Sequence, residues 1–393
     1  MRGRDARKHC ITFMVTMEYL SRALILLIFL DGCIDRLDTA TVNQDQGVLI
    51  VDGYISDRRG PYQVTMFRSS AADGILNHPI PVEAKSVILI NQNKSEELMT
   101  YKGEGVYESD SDGMQGVVGE KYFLRIELMD GTIFESDPEE MLPTGKVDSI
   151  YYQFVSSKPE NGPTEYGFNV FMDASSVPEG GYARWRYTGI FSLETFPWLN
   201  RFYCNCCPRP GDAAPLPCSG YVISANGLVP VGECTCCISY ISEPESTPHL
   251  NDNAAKTDGT FKKVELGYVD FNEYSFSRDR YMLKVDQMSL TREAYDYWKV
   301  FRDQKQGAES LFQPALGKAR TNIRSINSDQ KAGGFFYATS IHTKVTFIVG
   351  SRDASIRVPQ FRIQPPQQNC GLWSTGSQIF IHSTTVKPPE WVD

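Results

Sequence analysis

Tyr122-Phe123-Leu124-Arg125-Ile126-Glu127-Leu128-Met129-Asp130-Gly131-Thr132-Ile133-Phe134 is the stretch that decides the fold class. Tyr122, Leu124, Ile126 and Leu128 alternate with Phe123, Arg125, Glu127 and Met129, the period of two that puts one face of a strand on a core. Asp130-Gly131 is a strong hairpin dipeptide, and Ile133-Phe134 resumes on the far side. The same grammar runs upstream. Val48-Leu49-Ile50-Val51 leads into Gly53-Tyr54-Ile55, and Gly60-Pro61 supplies turn chemistry before the alternating Tyr62, Val64 and Met66. Val87-Ile88-Leu89-Ile90 is a short apolar run closed by Asn91-Gln92-Asn93-Lys94. Short strands spaced by turns predict a β-sandwich domain over residues 47–142, with Pro138 and Pro143 bracketing a linker.

A second β-rich domain is expected over 147–393. Ile150, Tyr152 and Phe154 alternate, as do Phe168, Val170 and Met172. In Arg184-Trp185-Arg186-Tyr187 the arginines share one face and the aromatics the other, which makes Trp185 a core anchor. Residues 200–260 are rich in Pro, Gly, Ser and Cys and read as an insertion. Strands resume near Lys262–Leu266 and Tyr281–Val285. Leu290, Ala294, Trp298 and Phe301 fall on one helical face, predicting a helix over 290–305 with Ser289 or Thr291 as its cap. Further strands are expected at Asn322–Asn327, Phe335–Tyr337, Val345–Val349 and Ile379–His382. The Pro-rich end, Lys387 to Trp391, reads as an extended tail. The expected fold class is therefore mainly β: two Ig-like or transthyretin-like β-sandwich domains, one packed amphipathic helix and a cysteine-rich insertion.

The N-terminus reads as an address. Arg2, Arg4, Arg7, Lys8 and Arg22 precede the apolar run Ala23–Leu30, and Asp31-Gly32-Cys33 follows. A membrane-spanning helix needs about 20 apolar residues. A span from Ile11 to Leu30 would bury Glu18 and Arg22, each at about 2.5 kcal/mol or more. The order fits a lipoprotein signal peptide over residues 1–32 better, with Cys33 acylated and residues 33–46 as a tether. Asp31 departs from the small residues usual at that position. Met14 or Met17 is an alternative start, and Met17 gives a compact signal. A diacylglyceryl-Cys33 carries two chains, enough for stable anchoring.

The chain of 393 residues has 39 Lys and Arg against 48 Asp and Glu. The signal segment removes more positive than negative charge, so an exported chain is more acidic still. That argues against nucleic acid as a partner and against electrostatic attraction to anionic lipid.

Beyond Cys33 lie two matching triplets, Cys204/Cys206/Cys207 and Cys234/Cys236/Cys237, with Cys218 between them and Cys370 downstream. An even number of cysteines in an exported chain favours disulfides. On adjacent antiparallel segments, Cys204 and Cys206 would meet Cys234 and Cys236, Cys207 would meet Cys237, and Cys218 would pair with Cys370. The alternatives are a thiolate metal site, for which Cys-x-Cys-Cys is tighter than usual zinc spacing, or free thiols.

The sequence carries no zinc-protease helix motif, no Gly-x-Ser-x-Gly elbow and no Walker-type loop. Glu108-Ser109-Asp110-Ser111-Asp112-Gly113 begins like a calcium loop, but Gly119 stands where the closing Glu belongs and Glu120 comes one place late. No cofactor and no catalytic residue is expected.

Cys33-Ile34-Asp35, Val51-Asp52-Gly53-Tyr54-Ile55-Ser56-Asp57-Arg58, Gly60-Pro61-Tyr62-Gln63-Val64, Gly105-Val106-Tyr107, Gly131–Pro138 and Leu290–Trp298 occur in an order that resembles a family of Bacteroidetes lipoproteins, domain-of-unknown-function family 4249. The resemblance implies an outer-membrane lipoprotein with β-sandwich domains that accompanies TonB-dependent transporters. The triplet-cysteine insertion does not map onto that pattern. The expectation is thus a lipid-anchored accessory protein, anchored by Cys33, that binds cargo or acts as a scaffold beside a TonB-dependent receptor. Alternatives are a surface adhesin or glycan-binding lipoprotein using Trp198, Trp373 and Trp391, and an exported hydrolase or metal-thiolate protein.

Overall fold

The computed structural model describes residues 47–69, 79–159, 162–175, 181–194, 217–224, 227–251, 259–308, 320–357, 367–369, 372–375, 378–380 and 382–392. The signal segment, Cys33 and the tether up to residue 46 lie outside them. The principal elements are β1 (Leu49–Ser56), β2 (Gln63–Arg68), β3 (Ala84–Asn91), β4 (Lys121–Leu128), β5 (Ile133–Ser136), β6 (Lys146–Ser157), β7 (Glu165–Ser175), β8 (Tyr182–Glu194), β9 (Ile238–Pro244), β10 (Thr260–Asp270) and β11 (Arg280–Leu290). They continue with α1 (Arg292–Ala308), β12 (Ile323–Ser325), β13 (Ala332–Thr339) and β14 (Ile341–Val349). The chain is mainly β. Shorter strands are named by their residues.

The hairpin around Asp130-Gly131 forms as expected. β4 and β5 pair antiparallel with Ile126 opposite Phe134. The Asp130 carboxylate accepts from Thr132 N at 2.8 Å, and Gly131 N donates to Leu128 O at 3.0 Å. Tyr122, Leu124, Ile126 and Leu128 all point inward. One six-stranded sheet contains β12-β5-β4-β3 in that order. The other runs β13-β1-β2, then Val106–Glu108 and Thr100–Gly103. Leu49, Val51, Val64 and Met66 of one sheet meet Val87, Leu89, Leu124 and Phe134 of the other in a single core.

That sandwich is not made from residues 47–142 alone. β12 and β13 return from far down the chain to complete it. β12 adds to β5, and β13 lies parallel to β1 from Leu49 opposite Ala332 to Ser56 opposite Thr339. Phe336 and Ala338 face the first core, while Phe335 and Tyr337 face the other way, against α1. Burial on both faces is what a continuous apolar run in a parallel pair serves. Gly334 makes the approach possible: its φ is +87°, and a Cβ there would lie 1.9 Å from Val51 O.

The second core sits between the three-stranded sheet β6-β7-β10 and the sheet β14-β11-β8-β9. Trp185, 2% exposed, is its anchor as expected, and its Nε1 donates to Gln287 Oε1 at 3.0 Å. Phe168, Val170, Phe191, Leu283 and Val285 surround it. β9 corrects the reading of residues 200–260 as an insertion without a core. Ile238–Pro244 pairs along β8, and Tyr240 and Ile241 are buried.

α1 joins the two sandwiches. It begins at Arg292, not at Leu290, because Leu290 still pairs with Tyr182 on the β11–β8 ladder. Thr291 caps it, with Oγ1 accepting from Ala294 N at 3.2 Å. Ala294, Tyr295 and Tyr297 are buried with Met288, Leu290, Phe335 and Tyr337. Phe301, placed on the buried stripe by periodicity, is 37% exposed and meets Tyr297 edge-on. The Pro-rich end is docked and not a free tail: Trp391 is 6% exposed and packs edge-on against Tyr240 and Phe347.

Candidate functional site

At one end of the second sandwich, the ends of β9 and β10 and the start of β11 enclose a pocket of about 410 Å³. That is within the range of small-molecule sites. Its floor is made by Tyr187 of β8 and Tyr281 of β11. Its rim is Glu243, Glu245 and His249 on one side and Tyr268 and Asp270 on the other.

Local structure explains how these groups are held. Gly189 on β8 stands opposite Glu243 in the β9 register. A Cβ on Gly189 would sit 1.9 Å from the Tyr281 hydroxyl, so glycine leaves the notch through which the Tyr281 ring crosses β8. The Tyr281 hydroxyl then donates to Glu243 Oε2 at 2.5 Å. Glu245 is fully committed to the protein. Its Oε1 accepts from Arg184 Nη2 at 2.5 Å and Nε at 3.2 Å. Its Oε2 accepts from Tyr187 N at 3.3 Å and lies 3.2 Å from His249 Nδ1. Arg184 in turn lies 3.8 Å over the Trp298 ring of α1. On the opposite rim, Asn272 Oδ1 accepts from Tyr274 N and Ser275 N, both at 2.9 Å, which shapes the turn after Asp270.

Burial raises the Glu243 carboxyl above its ordinary range; the Tyr281 hydrogen bond works against this and the nearby Asp270 charge adds to it. Burial also raises both phenols, Tyr281 further through Tyr187 and Glu243 beside it. Glu243 and Asp270 form no ion pair among the described residues. The Tyr187 side chain is 7% exposed, and its hydroxyl has no hydrogen-bond partner of normal geometry among them.

A second polar cluster ties the sandwiches together. Arg186 Nη2 pairs with Asp286 at 3.1 Å, and Nη1 donates to the Tyr54 hydroxyl of β1 at 3.2 Å. Asp286 also accepts from Thr343 and lies 3.8 Å from Arg58. The expected division of Arg184-Trp185-Arg186-Tyr187 into an arginine face and an aromatic face holds.

The cysteine expectations come out differently. Cys218 pairs with Cys236 and Cys234 with Cys237, each with Cα atoms 5.6 Å apart. Cys218 is therefore not the partner of Cys370, nor Cys237 of Cys207. The reason is a tight hairpin, Tyr221–Ser224 with Gly227–Pro230, that folds the second triplet back on Cys218. Thr235 N donates to Cys218 O at 2.9 Å at its base. These four sulfurs are not thiolates for a metal. Cys204, Cys206, Cys207 and Cys370 lie outside the described residues, as does Trp198. Trp373 sits on the strand Leu372–Thr375, and Trp391 is buried and so has no face for a sugar. In the calcium-like turn, the Glu97 carboxylate accepts from Asp110 N at 2.8 Å and Met114 N at 2.5 Å. Asp110 accepts from Asp112 N at 2.9 Å. Its carboxylates hold the turn, and the described residues contain no cluster of metal-ligating groups.

Of the pocket residues, the sequence marks Tyr187, Leu266 and Tyr281 as strand residues only, and Glu243, Glu245, His249 and Asp270 carry no motif. Glu243-Pro244-Glu245 was the available signal: a proline between two carboxylates at a strand end.

Two sheet-on-sheet cores bridged by a helix, with a recessed polar pocket at the end of one, define a mainly β protein. The family model described as Domain of unknown function (DUF4249) matches residues 34–345, most of the chain, and the chain belongs to that family. No curated protein matches it. No helix among the described residues is long and apolar enough to cross a membrane.

Proposed function

We propose that the protein is a lipid-anchored accessory protein of the outer membrane that binds a ligand without transforming it, working beside a TonB-dependent transporter. The observation that supports this most is the pocket. Glu245 is locked by Arg184 and a backbone N–H, and Tyr281 is aimed by a glycine notch. Such pre-set walls favour recognition. The lipoprotein-like order ending at Cys33 supplies the attachment, and the acidic chain has need of one. The transporter comes from the family resemblance. Affinity purification of the tagged protein from native membranes in mild detergent tests the reading. A TonB-dependent receptor should co-purify at near-stoichiometric yield; its absence from repeated preparations would overturn the transporter part.

A further inference from the structure

We propose that the Glu243–Asp270 pocket takes a small organic cation, a guanidinium or primary ammonium on an alkyl stem, such as a lysyl or arginyl side chain carries. This rests on the pocket being a ligand site, as above.

The charges decide the class. Three carboxylates line the pocket, and one, Glu245, is neutralised from behind by Arg184 and flanked by His249. Glu243 and Asp270 remain, facing the same pocket from its two sides, with the Tyr281 phenol as hydrogen-bond donor to Glu243. Two carboxylates that face one opening lower their energy most by sharing a cation. A guanidinium or ammonium donates several hydrogen bonds and matches carboxylate geometry. Below it lie Tyr187 and the hydroxyl end of Tyr281, whose ring is itself stacked on Phe191 and Phe276. The unsatisfied Tyr187 hydroxyl is a further acceptor, and an unpaired buried polar group is costly to retain. Leu266 and Pro244 supply apolar wall for an alkyl stem. The same features disfavour an anion. They also disfavour a bare metal ion, since the lining lacks a cluster of three ligating side chains.

The test separates charge from shape. Butylguanidine and butylurea have nearly the same outline, and only the first is cationic. Calorimetric titration into the full-length protein in non-ionic detergent should give saturable binding of butylguanidine at least about tenfold tighter than butylurea, a difference of about 1.4 kcal/mol. Glu243→Gln and Asp270→Asn should each weaken butylguanidine about tenfold, and the double variant should bring it down to butylurea. Circular dichroism checks that both variants keep the fold. Equal affinity for the two compounds, or butylguanidine binding unchanged in the double variant, would overturn the cation assignment while leaving a ligand pocket. Binding of neither compound would overturn it too, and with it the pocket as a site for small ligands. Neither result bears on the transporter, which the co-purification tests separately.

Discussion

Glu139 shows how one buried carboxylate can set the pH range in which the two sandwiches hold together. It is 5% exposed, accepts from the Thr291 hydroxyl at 2.6 Å, and so sits under the N-terminus of α1. Burial is the main cause that pushes its carboxyl up to about 7 from an ordinary 4.5; the Thr291 and Asn322 hydrogen bonds oppose this, and Glu293 and Asp137 add to it. Because the folded value is the higher one, the contribution to stability is complete below the unfolded value near 4.5 and is lost as pH rises through about 7. The loss is about 3 kcal/mol. Gln at this position keeps the acceptor and removes the charge. Urea unfolding should show the native protein losing about that much relative to Glu139→Gln between pH 5 and 8. Parallel curves across that range would contradict it.

At the scale of elements, what the sequence made legible and what it hid have physical causes. Strands that expose one face, such as β4, are written in alternation, and the Asp130-Gly131 turn has its own chemistry, so the hairpin could be read directly. β13 is different. Its run Phe335-Phe336-Tyr337 marks it as a strand buried on both sides, but nothing local says that its partner is β1, nearly 300 residues earlier. Pairing over that distance is decided by which edge and which helix face are left to cover. The helix start was misplaced for a related reason: Leu290 fits the α1 stripe and the β11 ladder equally well in spacing, and the ladder wins. The disulfides followed a short hairpin where long-range matching of the two triplets was expected. The pocket was invisible because its walls come from β8, β9, β10 and β11 and from the turns after β9 and β10, which no local pattern brings together. The β1–β13 pairing gives the prediction at this scale. Gly334→Val forces a β-branched side chain to φ +87° and into Val51 O. Unfavourable backbone and overpacking together should cost about 3 kcal/mol or more, read as a lower urea midpoint. An unchanged midpoint would mean that β13 does not close on β1 as described.

Taken whole, the molecule is two sandwiches locked by chain crossing, by α1 and by the Arg186–Asp286–Tyr54 cluster, with the pocket at the end of the second. Ser289 and Ser340 of the second half both donate to Leu142 O, at 2.6 and 2.8 Å, so the segment between Pro138 and Pro143 is pinned where a free linker was expected. The membrane attachment proposed for the molecule is the lipid on Cys33. Metabolic labelling with an alkyne-palmitate, followed by membrane fractionation, tests it most directly. The native protein should take label and be recovered with outer membranes, and both should be lost in Cys33→Ala. A native protein that takes no label, or a Cys33→Ala protein that stays equally with the membranes, would contradict it.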